Sequence, residues 1–140
     1  MSLLMAYWEG EGARTYHHTA PVNSMYGLHE SLLMLQEEGL ENAWKRHQVM
    51  HEMLAVGLED LGFSYVVEKE SDRLPQLNTV KLPNAIDEKK IRARLLEEYN
   101  LEIGAGLGPF AGKVWRIGLM GYSARKENIE LCLGALKACI

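Results

Sequence analysis

The chain has 140 residues, which is the size of one domain and enough to bury a hydrophobic core without disulfides or metals. Its content of 47% hydrophobic and 24% charged residues is ordinary for a globular protein, and no apolar run approaches the ~20 residues of a membrane span. The net charge of −4 argues against binding to nucleic acid or to an anionic membrane, because both partners require a basic face.

Residues 1–22 are predicted to lie outside the folded domain. Residues 1–6 lack the length and the positive charge of a secretion signal and are interpreted as a tag remnant. Residues 6–22 show no hydrophobic period and contain two glycines and Pro21, which predicts an irregular lead-in. No targeting signal is visible, so the predicted location is the cytoplasm. In a eukaryote, a peroxisome or a mitochondrion is the alternative.

Two helices are predicted next. The first begins near Asn23 or Ser24, whose side chains can accept hydrogen bonds from the N–H groups of a first helical turn. Gly39 is expected to interrupt the helical pattern, and Gly62 to end the second helix. Apolar residues recur along one side of each helix: Met25, Leu28, Leu32 and Leu35 in the first, and Leu40, Trp44, Met50, Leu54, Leu58 and Leu61 in the second.

The rest of the chain predicts a small sheet and two further helices. Aromatic and β-branched residues predict strands over residues 63–67, 76–82 and 114–120, with a short extended piece at 101–103. Helices are predicted from Asp87 to about Tyr99 and from about Ser123 onward, the latter with Ile129, Leu133, Leu136 and Ile140 facing inward. This order predicts one α+β domain over residues 23–140, in which about three mostly antiparallel strands carry helices on one face.

The glycine-rich segment 104–112 resembles two nucleotide-binding motifs and matches neither. A dinucleotide fingerprint would need glycine at the position of Pro109 and a helix where a strand is predicted. A P-loop would need glycine at the position of Leu107 and a hydroxyl residue at the position of Val114. We therefore predict no nucleotide site in this segment.

Two histidine pairs have spacings that metal sites use, but neither has further ligands nearby. His47 and His51 lie one helical turn apart, and a solvated helix face is the expected place for both. His17 and His18 are adjacent, and alternating side-chain directions in an extended segment are expected to keep them from binding one ion. No metal site is predicted.

The two cysteines, Cys132 and Cys139, lie two turns apart in the predicted last helix. A separation of about 10.5 Å along one helix is too large for a disulfide. Free thiols in a reducing compartment are therefore expected.

Arg116 is the first candidate binding residue. Strand alternation over residues 114–119 places Arg116 on one face with Val114 and Gly118. A guanidinium beside a residue without a side chain has room for a flat anionic group and offers a fork that matches a carboxylate. An exposed strand arginine or an internal ion pair would produce the same pattern, so the pattern alone leaves these readings open.

The second candidate is the segment from Tyr16 to Thr19. Tyr16 and Thr19 supply neutral hydroxyl donors in a segment that is not expected to be buried in its own domain. A phosphate accepts such hydrogen bonds well, and water does so too. Spacing alone does not decide between them.

Four segments together closely resemble the serine–pyruvate/alanine–glyoxylate aminotransferases, a class V group of fold-type I enzymes that use pyridoxal phosphate. The resemblance runs in register from about Trp8 to Ile140, and its most specific parts are Tyr-His-His-Thr and Gly-Lys-Val-x-Arg-Ile-Gly. The four segments are 16–22, 40–44, 106–109 and 112–121.

The resemblance implies a role for each candidate residue, and it implies that the large domain of the enzyme lies outside this chain. It implies that Arg116 receives the substrate α-carboxylate, and that Tyr16 and Thr19 contact the phosphate of pyridoxal phosphate bound to the neighbouring subunit of a homodimer. The expected substrates are small amino acids, serine or alanine, and 2-oxo acids, pyruvate or glyoxylate. The lysine that binds the cofactor covalently is expected upstream, in a large domain, so the chain resembles the C-terminal small domain and is expected to be inactive alone.

Two alternatives remain open. One is a non-catalytic binding or regulatory module that shares the small-domain fold. The other is a different activity of the same family, such as a phosphonate or ureidoglycine transaminase or a cysteine desulfurase. The desulfurase is disfavoured because neither cysteine is predicted in a mobile, exposed loop.

Overall fold

The protein is described by a computed structural model that covers residues 1–9, 16–83 and 86–140. The chain divides into two compact units, Met1–Glu38 and Gly39–Ile140. The domain boundary predicted between residues 22 and 23 falls inside the first unit. The assignment of residues 23–140 to one domain of a larger protein stays a prediction. Within the described ranges, no helix is long and apolar enough to cross a membrane.

The first unit consists of two helices, α1 (Ser2–Glu9) and α2 (Val22–Glu38). Helix α1 shows that the prediction of irregular chain was wrong for residues 6–9, because the segment is free of glycine and proline and rich in Leu, Met, Ala and Glu, which favour a helix. Residues 16–21 have no regular structure, as predicted, and residues 10–15 lie outside the described ranges. Neither helix has a buried residue.

The second unit begins with the long helix α3 (Leu40–Asp60). Gly39, which precedes it, has a φ of +82°, a conformation that residues with a side chain rarely adopt. Gly62, with a φ of +86°, follows the end of the helix. Both glycines therefore mark the helix ends that the sequence predicts.

Four strands form one antiparallel sheet in the order β1-β2-β4-β3. The strands are β1 (Ser64–Tyr65), β2 (Leu77–Lys81), β3 (Gly104–Ala105) and β4 (Val114–Gly118). The predicted α+β fold with a small antiparallel sheet is confirmed. The additional strand β3 lies directly after the extended piece predicted at residues 101–103.

Two further helices complete the second unit. Helix α4 (Glu88–Tyr99) is capped by Asp87, whose carboxylate accepts a hydrogen bond from the backbone N–H of Lys90 at 3.1 Å. Helix α5 (Lys126–Cys139) begins three residues after the predicted start, because Gly121–Ser123 first forms a single 3₁₀ turn.

The hydrophobic core lies between one face of the sheet and helices α3, α4 and α5, as predicted. Its fully buried side chains are Leu54, Leu58, Val80, Leu95, Trp115, Ala124 and Leu136. On α5, Ile129 and Leu136 face inward as predicted, whereas Ile140 is 49% exposed at the helix end. Cys132, Ala135 and Cys139 take the remaining buried positions of α5, because spacings of three and four residues keep them on the same side as Ile129 and Leu136.

The predicted apolar side of α3 is only partly buried. Leu54 and Leu58 are in the core, but Leu40 and Trp44 are 54% and 61% exposed. The N-terminal half of α3 therefore presents apolar side chains to solvent.

Candidate functional site

Strand β4 presents its side chains to two different surroundings. Trp115 and Ile117 face α3, α4 and α5 and are buried, whereas Arg116 is half-buried on the opposite face of the sheet. Val114 shares this face but is also buried, because the glycine-rich loop lies against it. A Cβ atom added at Gly106 would come within 2.9 Å of Val114 Cγ2.

The guanidinium of Arg116 is held from the side of β3. Its Nε donates a hydrogen bond to the carbonyl oxygen of Ala105 at 2.8 Å. Gly104 is the register partner of Arg116, and a Cβ atom added there would lie 3.4 Å from Nη2. Because Gly104 has no side chain, the flat guanidinium has room beside β3.

The two Nη nitrogens of Arg116 are not used in the described part of the chain. Among the described residues, no carboxylate forms an ion pair with Arg116 and no hydrogen bond reaches either Nη. An internal ion pair with a described residue is therefore excluded. Two parallel N–H donors at the tip of a guanidinium can bind both oxygens of one carboxylate.

Tyr16 and Thr19 come together in the first unit. The hydroxyl oxygen of Tyr16 lies 2.5 Å from Thr19 Oγ1, and both side chains are exposed. One of these hydroxyls donates to the other, so in this arrangement the pair has one proton left to donate to a phosphate group. Arg116 belongs to the other unit, so each of the two candidate sites stands on its own geometry.

The adjacent histidines differ from the sequence-based expectation. His17 Nδ1 lies 2.8 Å from His18 Nδ1, so the two rings converge. The expectation of diverging side chains was therefore wrong for this pair. Over residues 1–9, 16–83 and 86–140, no group of three or more potential metal ligands occurs.

His51 is buried rather than solvated, which corrects the prediction for this helix face. Its Nδ1 lies 2.6 Å from Asn78 Oδ1, and the Tyr65 hydroxyl donates to the same oxygen at 2.8 Å. An amide oxygen only accepts, so His51 Nδ1 is the donor. Burial raises the pKa of Tyr65 to about 12, while the nearby guanidinium of Arg73 opposes the rise.

His47 is also bound within the protein. Its Nδ1 lies 2.6 Å from the Ala43 carbonyl oxygen, and its Nε2 accepts a hydrogen bond from the Gly121 N–H at 3.1 Å. The neighbouring Arg46 donates to the carbonyl oxygens of Gly121 and Ala124 at 2.8 and 3.1 Å. These contacts attach α3 to the turn after β4. A sequence signal for such a role was Asn78, because strands disfavour asparagine.

The lysines and cysteines of the chain are the remaining side chains that can act as nucleophiles. Every lysine of the chain is exposed. Both cysteines are buried, and burial raises the pKa of Cys132 to about 11, which keeps it as a protonated thiol at neutral pH. The chain therefore has no buried lysine, and Cys132 is not a thiolate at neutral pH.

The aminotransferase class-V family model matches residues 3–130 of the chain. The chain belongs to the class-V aminotransferase family. It is 43% identical over 134 residues to an alanine–glyoxylate aminotransferase of Callithrix jacchus, covering 95% of this chain and 32% of that relative. It is 38% identical over 140 residues to a (S)-ureidoglycine–glyoxylate transaminase of Bacillus subtilis, covering 100% of this chain and 33% of the relative.

Solved structures agree with the sequence comparison. The crystal structure of an alanine–glyoxylate aminotransferase from Nostoc sp. superposes with a TM-score of 0.87 at 48% identity, covering 99% of this chain and 36% of that one. The chain thus spans about a third of the length of the relatives that it matches.

Proposed function

We propose that the chain is the C-terminal portion of a pyridoxal-phosphate-dependent aminotransferase that moves an amino group between a small amino acid and a small 2-oxo acid. Membership of the class-V family supports the reaction class. Glyoxylate occurs in the names of both kinds of curated relative, alanine–glyoxylate and ureidoglycine–glyoxylate, which supports glyoxylate as the acceptor over pyruvate. The proposed donor is alanine or serine, and the proposed location is the cytoplasm.

The observation that carries this proposal is the unused fork of Arg116. Its Nε is fixed by Ala105, while both Nη nitrogens lack a partner among the described residues. Amino acids and 2-oxo acids share a carboxylate next to the reacting carbon. The fork can therefore bind the amino-group donor and the amino-group acceptor in the same way. By holding that carboxylate, Arg116 orients the Cα–H bond of the amino acid, and such positioning can supply several kcal/mol of barrier reduction.

The described residues also fit the phosphate of the cofactor. Tyr16 and Thr19 place two exposed hydroxyl groups 2.5 Å apart, which suits an acceptor with several oxygens. Bound pyridoxal phosphate supplies the electron sink that weakens the Cα–H bond. In the proposed homodimer, this hydroxyl pair contacts the phosphate in the neighbouring subunit.

The proposed catalytic lysine lies outside this chain, so the isolated chain is expected to be inactive. The reason is that every lysine present is exposed to water, whereas a lysine that forms a covalent link to the cofactor is typically desolvated. The test adds pyridoxal phosphate to the 140-residue chain, reduces with borohydride and maps adducts by mass. A stoichiometric adduct on one lysine would contradict the proposal.

The full-length gene product provides the positive test. It is expected to transfer the amino group of alanine to glyoxylate, measured as pyruvate formation in a coupled assay. The isolated 140-residue chain, assayed at the same concentration, serves as the negative control. A full-length product that binds no pyridoxal phosphate would favour a non-catalytic module with the small-domain fold.

A further inference from the structure

Helix α3 and the 3₁₀ turn Glu70–Asp72 contribute to the walls of a cavity of about 370 Å³. A cavity of this size can hold a small organic molecule. The residues that line the cavity are Gln48, His51, Glu70, Ser71 and Arg73. His51 is 3% exposed, whereas Gln48 and Glu70 are exposed, which places His51 at the inner end of the cavity and the other two at its rim.

The imidazole of His51 has a fixed hydrogen-bonding direction. The amide nitrogen of Asn78 donates to the Pro75 carbonyl oxygen at 3.3 Å, which assigns the amide oxygen of Asn78 to the side of His51. That oxygen lies 2.6 Å from His51 Nδ1 and also accepts from the Tyr65 hydroxyl. Because an amide oxygen only accepts, Nδ1 carries the proton, and in a neutral imidazole Nε2 then carries a lone pair.

The Nε2 atom of His51 opens toward the cavity. No hydrogen bond from a described residue reaches this atom. Among the described residues, Trp115 Nε1 is the single side-chain nitrogen or oxygen that is both sealed from solvent and unpaired. His51 Nε2 is unpaired too, so it is reached from the cavity that His51 lines. An acceptor that is oriented by a buried network and lacks a donor is available to a ligand.

The other uncharged and acidic groups of the cavity also offer acceptors. The Gln48 amide nitrogen donates to a Glu52 carboxylate oxygen at 2.8 Å, which leaves the Gln48 amide oxygen as an acceptor. The Ser71 hydroxyl donates its proton to Asp72 at 3.1 Å. The Glu70 carboxylate has no ion-pair or hydrogen-bond partner in the described part of the chain. The cavity therefore presents several acceptors and an uncompensated negative charge.

Arg73 is the cationic residue of the lining, and contacts within the protein already hold it. Its Nε and Nη2 donate to the carbonyl oxygens of Val67 and Glu68 at 3.0 and 3.3 Å. Its guanidinium carbon lies 4.1 Å from the centre of the Tyr65 ring, and its Nη1 lies 3.8 Å from a carboxylate oxygen of Glu59. The charge of Arg73 therefore faces Glu59, and the charge of Glu70 is left for a ligand.

We propose that this cavity binds a small organic ammonium ion that carries a second hydrogen-bond donor, as an amino alcohol does. The ammonium group pairs with Glu70 at the rim, and the second donor is accepted by His51 Nε2 at the inner end. Acceptors without matching protons favour a ligand that brings donors, and an unpaired carboxylate favours a positive charge. A metal ion is disfavoured, because no group of three potential ligands occurs over residues 1–9, 16–83 and 86–140. The inference does not rest on the proposed function.

The test titrates the 140-residue chain with ethanolamine at constant pH and ionic strength and follows the His51 Nε2 resonance by NMR. This chain is used because pyridoxal phosphate in the full-length protein would react with a primary amine. The His51 resonance is expected to shift and to saturate. Methoxyethylamine has the same charge, but a methyl group caps its hydroxyl, so it is expected to bind about tenfold more weakly, the scale of one hydrogen bond.

A pair of substitutions tests the other end of the ligand. Glu70→Gln removes the charge at the rim and keeps the size of the side chain, so it is expected to weaken ethanolamine binding about tenfold. Glu97→Gln is the matched control, because Glu97 is an exposed glutamate of α4 that does not line the cavity. It is expected to leave binding unchanged. Both positions are exposed, and circular dichroism should show the wild-type fold in both variants.

Three results would overturn the inference. If ethanolamine leaves the His51 resonance unchanged, the cavity is not an amine site. If methoxyethylamine binds as tightly as ethanolamine, or if Glu97→Gln weakens binding as much as Glu70→Gln, the attraction is a general effect of charge. If zinc chloride shifts the His51 resonance and ethanolamine does not, the cavity is a metal site. The proposed function is tested separately, through Arg116 and cofactor binding.

Discussion

Three arginines of the second unit contact a carboxylate, whereas no described carboxylate contacts Arg116. Arg73, Arg92 and Arg94 each lie within 4 Å of a carboxylate, at 3.8, 2.8 and 2.8 Å. Arg116 instead uses one nitrogen for a backbone carbonyl, and its other two nitrogens have no partner among the described residues. At the scale of single residues, this difference is the reason to propose Arg116, rather than these three, as the carboxylate-binding arginine.

In the full-length enzyme, Arg116→Lys is expected to raise KM for the amino acid far more than it disturbs folding or cofactor content. Lysine keeps the charge but loses the planar fork, so a two-point contact becomes a single mobile one. The expected loss in kcat/KM is on the order of 1.5–3 kcal/mol. Steady-state kinetics measure it, and an unchanged KM at full cofactor content would contradict the assignment.

Tyr16→Phe is expected to have the complementary effect. It removes one of the two converging hydroxyl groups and should weaken retention of pyridoxal phosphate during dialysis. The amino-acid KM of the fully loaded enzyme should change little, because the ring does not belong to the carboxylate site. Loss of substrate affinity with normal cofactor retention would reverse the roles assigned to Tyr16 and Arg116.

At the scale of elements, α3 is joined to the rest of its unit by polar contacts at two levels. Near its start, Arg46 and His47 bind the turn at Gly121. One turn further on, His51 reaches Asn78 in the centre of β2. Both contacts bridge more than 25 positions of sequence, so they fix the helix against the sheet rather than stabilise the helix itself.

The buried Tyr65 hydroxyl gives this arrangement a measurable dependence on pH. Its folded-state pKa of about 12 lies above the ordinary value of 10. The unfolded chain therefore loses this proton first, so the contribution of Tyr65 to stability is expected to be constant below about pH 10 and to fall between about pH 10 and 12. The expected loss is on the order of 2 kcal/mol.

Urea unfolding of the 140-residue chain at pH 9 and pH 11, followed by circular dichroism, measures this loss. Tyr65→Phe should flatten the part of the decline that lies above pH 10. Cys132, whose pKa is raised by burial to about 11, contributes a separate decline between about pH 9 and 11, which Cys132→Ala should remove. An unchanged decline in Tyr65→Phe would show that the buried tyrosine is not its source.

At the scale of the whole molecule, the two units differ in how much they bury. The second unit has a continuous core, whereas α1 and α2 have no buried residue at all. On α2, Tyr26, Leu28 and Leu32 are 72%, 61% and 56% exposed. An apolar surface of this kind is uncommon on monomers and typical of a contact with another protein surface.

The isolated chain is therefore expected to self-associate as its concentration rises. Sedimentation velocity over a range of concentrations measures this. The double substitution Leu28→Glu and Leu32→Glu should shift the chain toward monomer, since it places charge on the exposed apolar side of α2. A wild-type chain that remains monomeric at the highest concentration would contradict the prediction.

The local elements of the second unit were largely predictable from sequence. Gly39 and Gly62 mark the ends of α3 because positive φ is costly for other residues. Alternation in β4 separates Trp115 from Arg116 because successive strand residues face opposite ways. The resemblance of four short segments was enough to predict the family, which the family model confirms.

The surroundings of individual polar residues were decided only by tertiary structure. Helical spacing placed His47 and His51 on one side of α3, but it could not show that this side meets Gly121 and Asn78, since both partners lie far along the chain. Likewise the sequence predicted which face of β4 carries Arg116, whereas only the packing of β3 beside it showed that Ala105 holds Nε and that the fork has no partner in the described part of the chain. Periodicity is a local property of the backbone, but a hydrogen-bond partner depends on which distant segment the fold brings within 3 Å.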